Sequence, residues 1–146
     1  MTDWESRVAA TIRSLRRNAL TGGSLALLIL ALAPPTAGSH GFTGPLAWWL
    51  LFAFCLIPLA FSVHLLFDAA LFRLAASHDD EAAGLAAIDD VLARMGLRER
   101  GGASASLVER QAGCRRLLWL QRASLAIGVA LYLVLLIDGL EGAAAP

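Results

Sequence analysis

Three stretches of this chain, residues 18–34, 45–73 and 117–138, are long, apolar and almost free of ionisable side chains. Only a helix satisfies all the backbone polar groups of such a segment internally, and its side chains gain nothing from water. The chain as a whole has 146 residues, 58% of them hydrophobic and 16% charged. Its mean hydropathy of +0.64 is too high for an ordinary soluble domain. The expected fold class is therefore an all-α integral membrane protein with three transmembrane helices.

Charge placement sets the expected orientation. All 12 basic residues are arginines, in two blocks from Arg7 to Arg17 and from Arg73 to Arg122. Segments facing the cytoplasm keep Arg and Lys while translocated loops lose them. The N-terminus and the central block are thus expected inside, and the uncharged loop at 35–44 and the tail at 139–146 outside. The formal net charge of zero gives no reason to expect a nucleic-acid partner. Arginine without lysine, beside abundant Ala, Gly and Leu, suggests a GC-rich bacterial genome, so the expected home is a bacterial inner membrane. Cys55 falls inside an apolar span and Cys114 in the arginine-rich block, too separated to pair.

Residues 1–17 carry a capping-box pattern at Thr2-Asp3-Trp4-Glu5, followed by apolar residues at Trp4, Val8, Ile12 and Leu15. Two readings fit. One is an amphipathic interfacial helix anchored by Trp4 beneath anionic headgroups. The other is a solvated helix packed on the protein's own cytoplasmic part. The first span, ending at Pro34-Pro35, covers roughly 16 uncharged residues, or about 24 Å. That is short, so Arg16 and Arg17 are expected to snorkel to the headgroups. Gly22-Gly23-Ser24 offers a smooth patch for a neighbouring helix. The second span begins at Pro45, meets the outer interface at Trp48 and Trp49, and carries Pro58 as an expected kink.

Between the second and third spans, residues 74–116 read as a cytoplasmic helical hairpin. Ser77-His78-Asp79-Asp80 supplies an N-cap with acids in the first turn. Leu85, Ile88, Leu92 and Met95 then form a stripe that ends at Gly96-Leu97. After the Gly101-Gly102-Ala103-Ser104 linker, Ser106-Leu107-Val108-Glu109 opens the last helix as a second capping box. Trp119 and Arg122 mark the inner interface of the third span, and the tail is expected to be disordered.

Chemistry is sparse. His64 and Asp68 share a face of the second span. His64 reads as a haem or quinone ligand, a proton-relay partner of Asp68, or a histidine hydrogen-bonded to a neighbouring helix. Asp68 marks either the point where the helix reaches water or a salt bridge to Arg122. His78 to Glu81 resembles a metal cluster in composition only, since consecutive helical residues diverge. No phosphate-cradling loop, paired-cysteine motif or nucleophile elbow occurs, so neither catalytic nor metal-binding residues are assigned.

The leading expectation is a non-catalytic accessory subunit or assembly factor of a larger bacterial membrane complex, respiratory or photosynthetic assemblies being the candidate class. Its partners would be the bilayer and other membrane subunits. Interface candidates are Trp4, Arg16, Arg17, Trp48, Trp49, Leu85, Ile88, Leu92, Met95, Trp119 and Arg122. Two alternatives stand beside it: a haem- or quinone-binding membrane anchor using His64, and an oligomeric pore or small transporter.

Overall fold

The computed structural model describes residues 3–38, 44–97 and 106–144, which form four helices and no strand among the described residues. These are α1 (Asp3–Thr36), α2 (Gly44–Ala75), α3 (Glu81–Arg94) and α4 (Leu107–Ala144). Thr2 of the first capping box, His40 of the loop after α1, and the Gly101 to Ser104 linker lie outside the described residues. Helices α1, α2 and α4 are long and apolar enough to cross a membrane. They hold 34, 32 and 38 residues. Each is therefore about 48 to 57 Å long, against a hydrocarbon core of about 30 Å, and extends well past it.

Three boundaries differ from the sequence reading. Residues 3–17 are not a separate element: α1 runs unbroken from Asp3, and Trp4, Val8 and Leu15 are buried inside the protein. α1 also passes through Pro34 and Pro35 to Thr36, and the helix closes beyond them with Ala37 N–H donating to Ala33 O (2.8 Å). The tail is largely helical, since α4 continues to Ala144. It is held against α1 where Gly38 N–H donates to Leu135 O at 2.8 Å, and Gly38 and Gly139 approach so closely that a side chain on either would strike the other's backbone.

The three long helices pack along seams with a period of 3.5 residues, the repeat of left-handed coiled packing. Along these seams α1 buries Trp4, Val8, Leu15, Ala19, Gly22, Ala26, Ile29 and Ala33, with Gly23 buried beside them, and α2 buries Leu51, Cys55, Pro58, Ser62, Leu65, Ala69 and Phe72, with Gly44 and Ala75 buried at its ends. On α4 every seventh residue is buried, from Leu107 through Cys114, Gln121 and Gly128 to Leu135. Small residues (Ala19, Gly22, Ala26, Cys55, Ser62, Ala69) alternate with large apolar ones along these seams, while Leu20, Leu27, Val63 and Val134 stay exposed. Small residues at the contact and apolar ones on the outer surface suit helices that approach closely within lipid.

α2 runs antiparallel to α1 and α4, which are parallel to each other. At the arginine-rich end Gln111 Nε2 donates to Thr11 Oγ1 (2.9 Å) and Arg122 to Asn18 Oδ1 (2.7 Å). At the far end the Thr36 and Tyr132 hydroxyls are 2.8 Å apart, and Trp48 Nε1 donates to Gly38 O at 3.2 Å. An apolar core lies at each end. Between them the buried Gln121 Nε2 donates to Ser62 Oγ (2.8 Å), whose hydroxyl donates to Pro58 O (2.7 Å). Gly22 and Gly23 leave room for those two side chains. α2 stays helical through Pro58, which has no N–H to offer the Phe54 carbonyl, and Gly128 of α4 packs against that carbonyl.

α3 is capped at both ends. Asp80 Oδ1 accepts from Ala83 N–H at 2.7 Å. Its C-terminus is a Schellman turn, with Leu97 N–H donating to Leu92 O (2.9 Å), Gly96 N–H to Ala93 O (3.2 Å), and Gly96 at φ +71°. The second capping box forms as read: Ser106 N–H donates to Glu109 Oε2 (2.8 Å) and Glu109 N–H to Ser106 Oγ (3.3 Å). Ser106 N–H and Oγ–H both donate to Glu109 Oε2, and these two bonds hold the Glu109 carboxyl below its ordinary range.

Candidate functional site

The arginine-rich end of the bundle holds a cleft of about 650 Å³ between α2, α3 and α4. It exists because α3 leans on one side of α2. Ile88 of α3 is buried, and Leu85 and Leu92 pack against the same core. Gly84 lets α3 approach the Ala75 carbonyl. α3 is tied to α4 by an ion pair between Asp89 and Arg110, both mostly shielded from solvent. Between these anchors the walls are apolar, formed by Leu71, Leu92, Leu117 and Leu120.

Two polar groups meet inside. Cys114 Sγ–H donates to Asp68 Oδ2 at 3.5 Å, so the carboxylate faces α4. His64, one turn earlier on α2, is exposed and lines the same cleft, its ring tilted against Phe67 with centroids 6.5 Å apart. Gly113 also lines it, and a Cβ placed there would meet nothing within 4 Å. A half-buried carboxylate beside a thiol is an expensive arrangement in apolar surroundings, because a thiol is a weak donor.

The residues singled out from sequence are dispersed around this arrangement. Asp68 does not bridge to Arg122, whose guanidinium instead reaches Asn18 of α1. Cys114, read as an ordinary thiol, is buried at the cleft base. Trp4 is buried against α3 with its indole N–H unpartnered among the described residues, so it is a packing residue and not an exposed anchor. Ile88 is likewise turned inward, whereas Met95 and Leu97 at the tip of α3 are exposed. Trp49 and Trp119 are 73% and 68% exposed on the apolar girdle, Trp48 is half-buried, and Arg16 and Arg17 are exposed. His78 Nδ1 lies 3.1 Å from Leu74 O, outside the cleft, and Asp80 caps α3. Gln121 and Ser62 were missed, as neither is ionisable nor part of a motif.

Compared with known proteins, the chain matches no family model, no curated protein and no solved structure.

Proposed function

We propose that the chain is a non-catalytic accessory subunit or assembly factor of a larger bacterial inner-membrane complex of the energy-transducing kind. Its N-terminus and α3 would face the cytoplasm and its C-terminus the outside, an orientation supported by the arginine distribution. The observation that carries the reading is the cleft. Its volume suits a bulky ligand or the side chains of a docking segment. Asp68, the one acid that lines it among the described residues, is joined to a thiol, leaving carboxylate acceptor capacity for a partner's donor.

Gly113 permits a test, because a Cβ there meets nothing within 4 Å and a leucine side chain would project from it into the cleft. Gly113→Leu should also favour α4 by about 0.5–1 kcal/mol through helix propensity. The tagged full chain, extracted in mild detergent, is expected to bring down a defined set of membrane polypeptides. Gly113→Leu should reduce their recovery at least about tenfold, the equivalent of losing one good contact, while thermal stability holds or rises. A wild-type chain recovered alone, or a variant that retains every partner, would count against this reading.

A second reading, a haem- or quinone-binding anchor, is favoured by the position of His64 on the same cleft wall. It predicts a Soret band or an extractable quinone in the wild-type protein and its loss in His64→Ala.

A further inference from the structure

The other flank of α2 carries a recess of opposite character. A pocket of about 120 Å³ between α1 and α2 is walled by Ile12, Leu66, Ala69 and Ala70, and receives Arg16 from α1 and Arg73 from α2. No carboxylate lines it. Arg7, Arg94 and Arg110 pair with acids and Arg122 with Asn18, whereas Arg16 and Arg73, like Arg13, Arg17, Arg115 and Arg116, make no ion pair or side-chain hydrogen bond among the described residues; what sets these two apart is that they line one recess from two helices.

The two arginines come from different helices yet stand at one depth. Arg16 lies just before the apolar stretch of α1, and Arg73 near the end of that of α2. Ala69 and Ala70 are small, which is what opens a recess between the helices at this level. Both side chains are exposed at the rim of one recess, so their positive charges add at its mouth and favour an anion there. Guanidinium is also the side chain best suited to fork onto phosphate oxygens. On the apolar side the exposed Leu20, one turn from Arg16, and Leu66 continue the wall.

We propose that Arg16 and Arg73 form a binding site for the phosphate of an anionic phospholipid, whose acyl chains run along Leu20 and Leu66. A zwitterionic lipid fits less well, because its ammonium would face two uncompensated cations.

The test uses the purified full chain, delipidated in detergent and offered equimolar phosphatidylglycerol and phosphatidylcholine, with bound lipid read by native mass spectrometry. Phosphatidylglycerol is expected to be retained preferentially. Retention should fall about fivefold in Arg16→Gln or Arg73→Gln and about thirtyfold in the double variant, on the scale of one basic contact per residue at an anionic surface. Arg94→Gln, which removes an arginine from α3, should leave retention unchanged. Arg16→Lys with Arg73→Lys should keep the preference for phosphatidylglycerol. If the double glutamine variant fails to assemble, the single variants decide the matter. Equal retention of the two lipids, or undiminished retention in the glutamine variants, overturns the site. Displacement of phosphatidylglycerol by millimolar inorganic phosphate would overturn the lipid assignment in favour of a soluble anion.

Discussion

Replacing Gly84 by valine should detach α3 from the rest of the protein. Even the first added carbon would lie 2.8 Å from the Ala75 carbonyl oxygen and 3.1 Å from Cζ2 of the buried Trp4. Neither neighbour can yield: one is backbone at the end of α2, and the other is a fixed indole. Overpacking of this kind costs about 1–3 kcal/mol. If α3 lifts away, Ile88, now 1% exposed, loses a further burial of about 1.5–3 kcal/mol. The expected outcome is faster proteolysis across residues 76–97, by at least about tenfold, with α1, α2 and α4 still membrane-bound. Because α3 forms one wall of the cleft, partner recovery should fall in parallel. Proteolysis unchanged from wild type would mean that α3 does not dock through this glycine.

The second large effect is expected at Gln121. Its side chain is 2% exposed, and its amide donates to Ser62 at 2.8 Å in the only strip of the bundle that lies between the two apolar cores. Gln121→Ala removes that bond and leaves a void beside Gly22, for a combined loss of about 2–3 kcal/mol. The bond itself is separable by a double-mutant cycle with Ser62→Ala. Interhelical hydrogen bonds in membranes contribute about 0.6–2 kcal/mol, so the coupling should fall in that range. Strictly additive single losses in detergent unfolding would show that the two side chains do not meet.

The legible part of this fold was the part governed by local rules. Gly96 and the Ser106–Glu109 box satisfy backbone groups next to them in sequence and form as their residue types predict, whereas the N-cap of α3 is Asp80, the last residue of the Ser77 to Asp80 stretch, and Ser77 instead donates its hydroxyl to Leu74 O at the end of α2. Length and apolarity likewise located the three long helices. The packing was another matter. In water the large apolar residues of a helix are confined to its buried face, but here Leu and Val occur on exposed surface and in the seams alike, and Ala, Gly, Cys, Ser and Gln share the seams with them. The seven-residue recurrence on α4 passes through Leu, Cys, Gln, Gly and Leu, which share no hydrophobicity signal. The continuity of α1 was hidden by its own composition, because the change from charged to apolar at Asn18 marks a change of surroundings and not a break in the helix.

The candidate site divides in the same way. His64 and Asp68 could be placed on one face of α2 from their spacing, since four residues make about one turn. Cys114 and Gly113 could not be joined to them, because that requires the register between α2 and α4. Register here is set by Gln121, Ser62 and Gly128, whose contribution depends on neighbours far away in sequence.

Everything above the level of packing depends on α1, α2 and α4 each crossing a bilayer once. An odd number of crossings puts the two termini on opposite sides, so reporters fused in turn before Met1 and after Pro146 of the full chain, in carbonate-washed membranes, give the most direct test. The account predicts a cytoplasmic N-terminal reporter, an external C-terminal reporter, and retention of both fusions in the membrane pellet. Both reporters on one side, or release of the protein by carbonate, would contradict it.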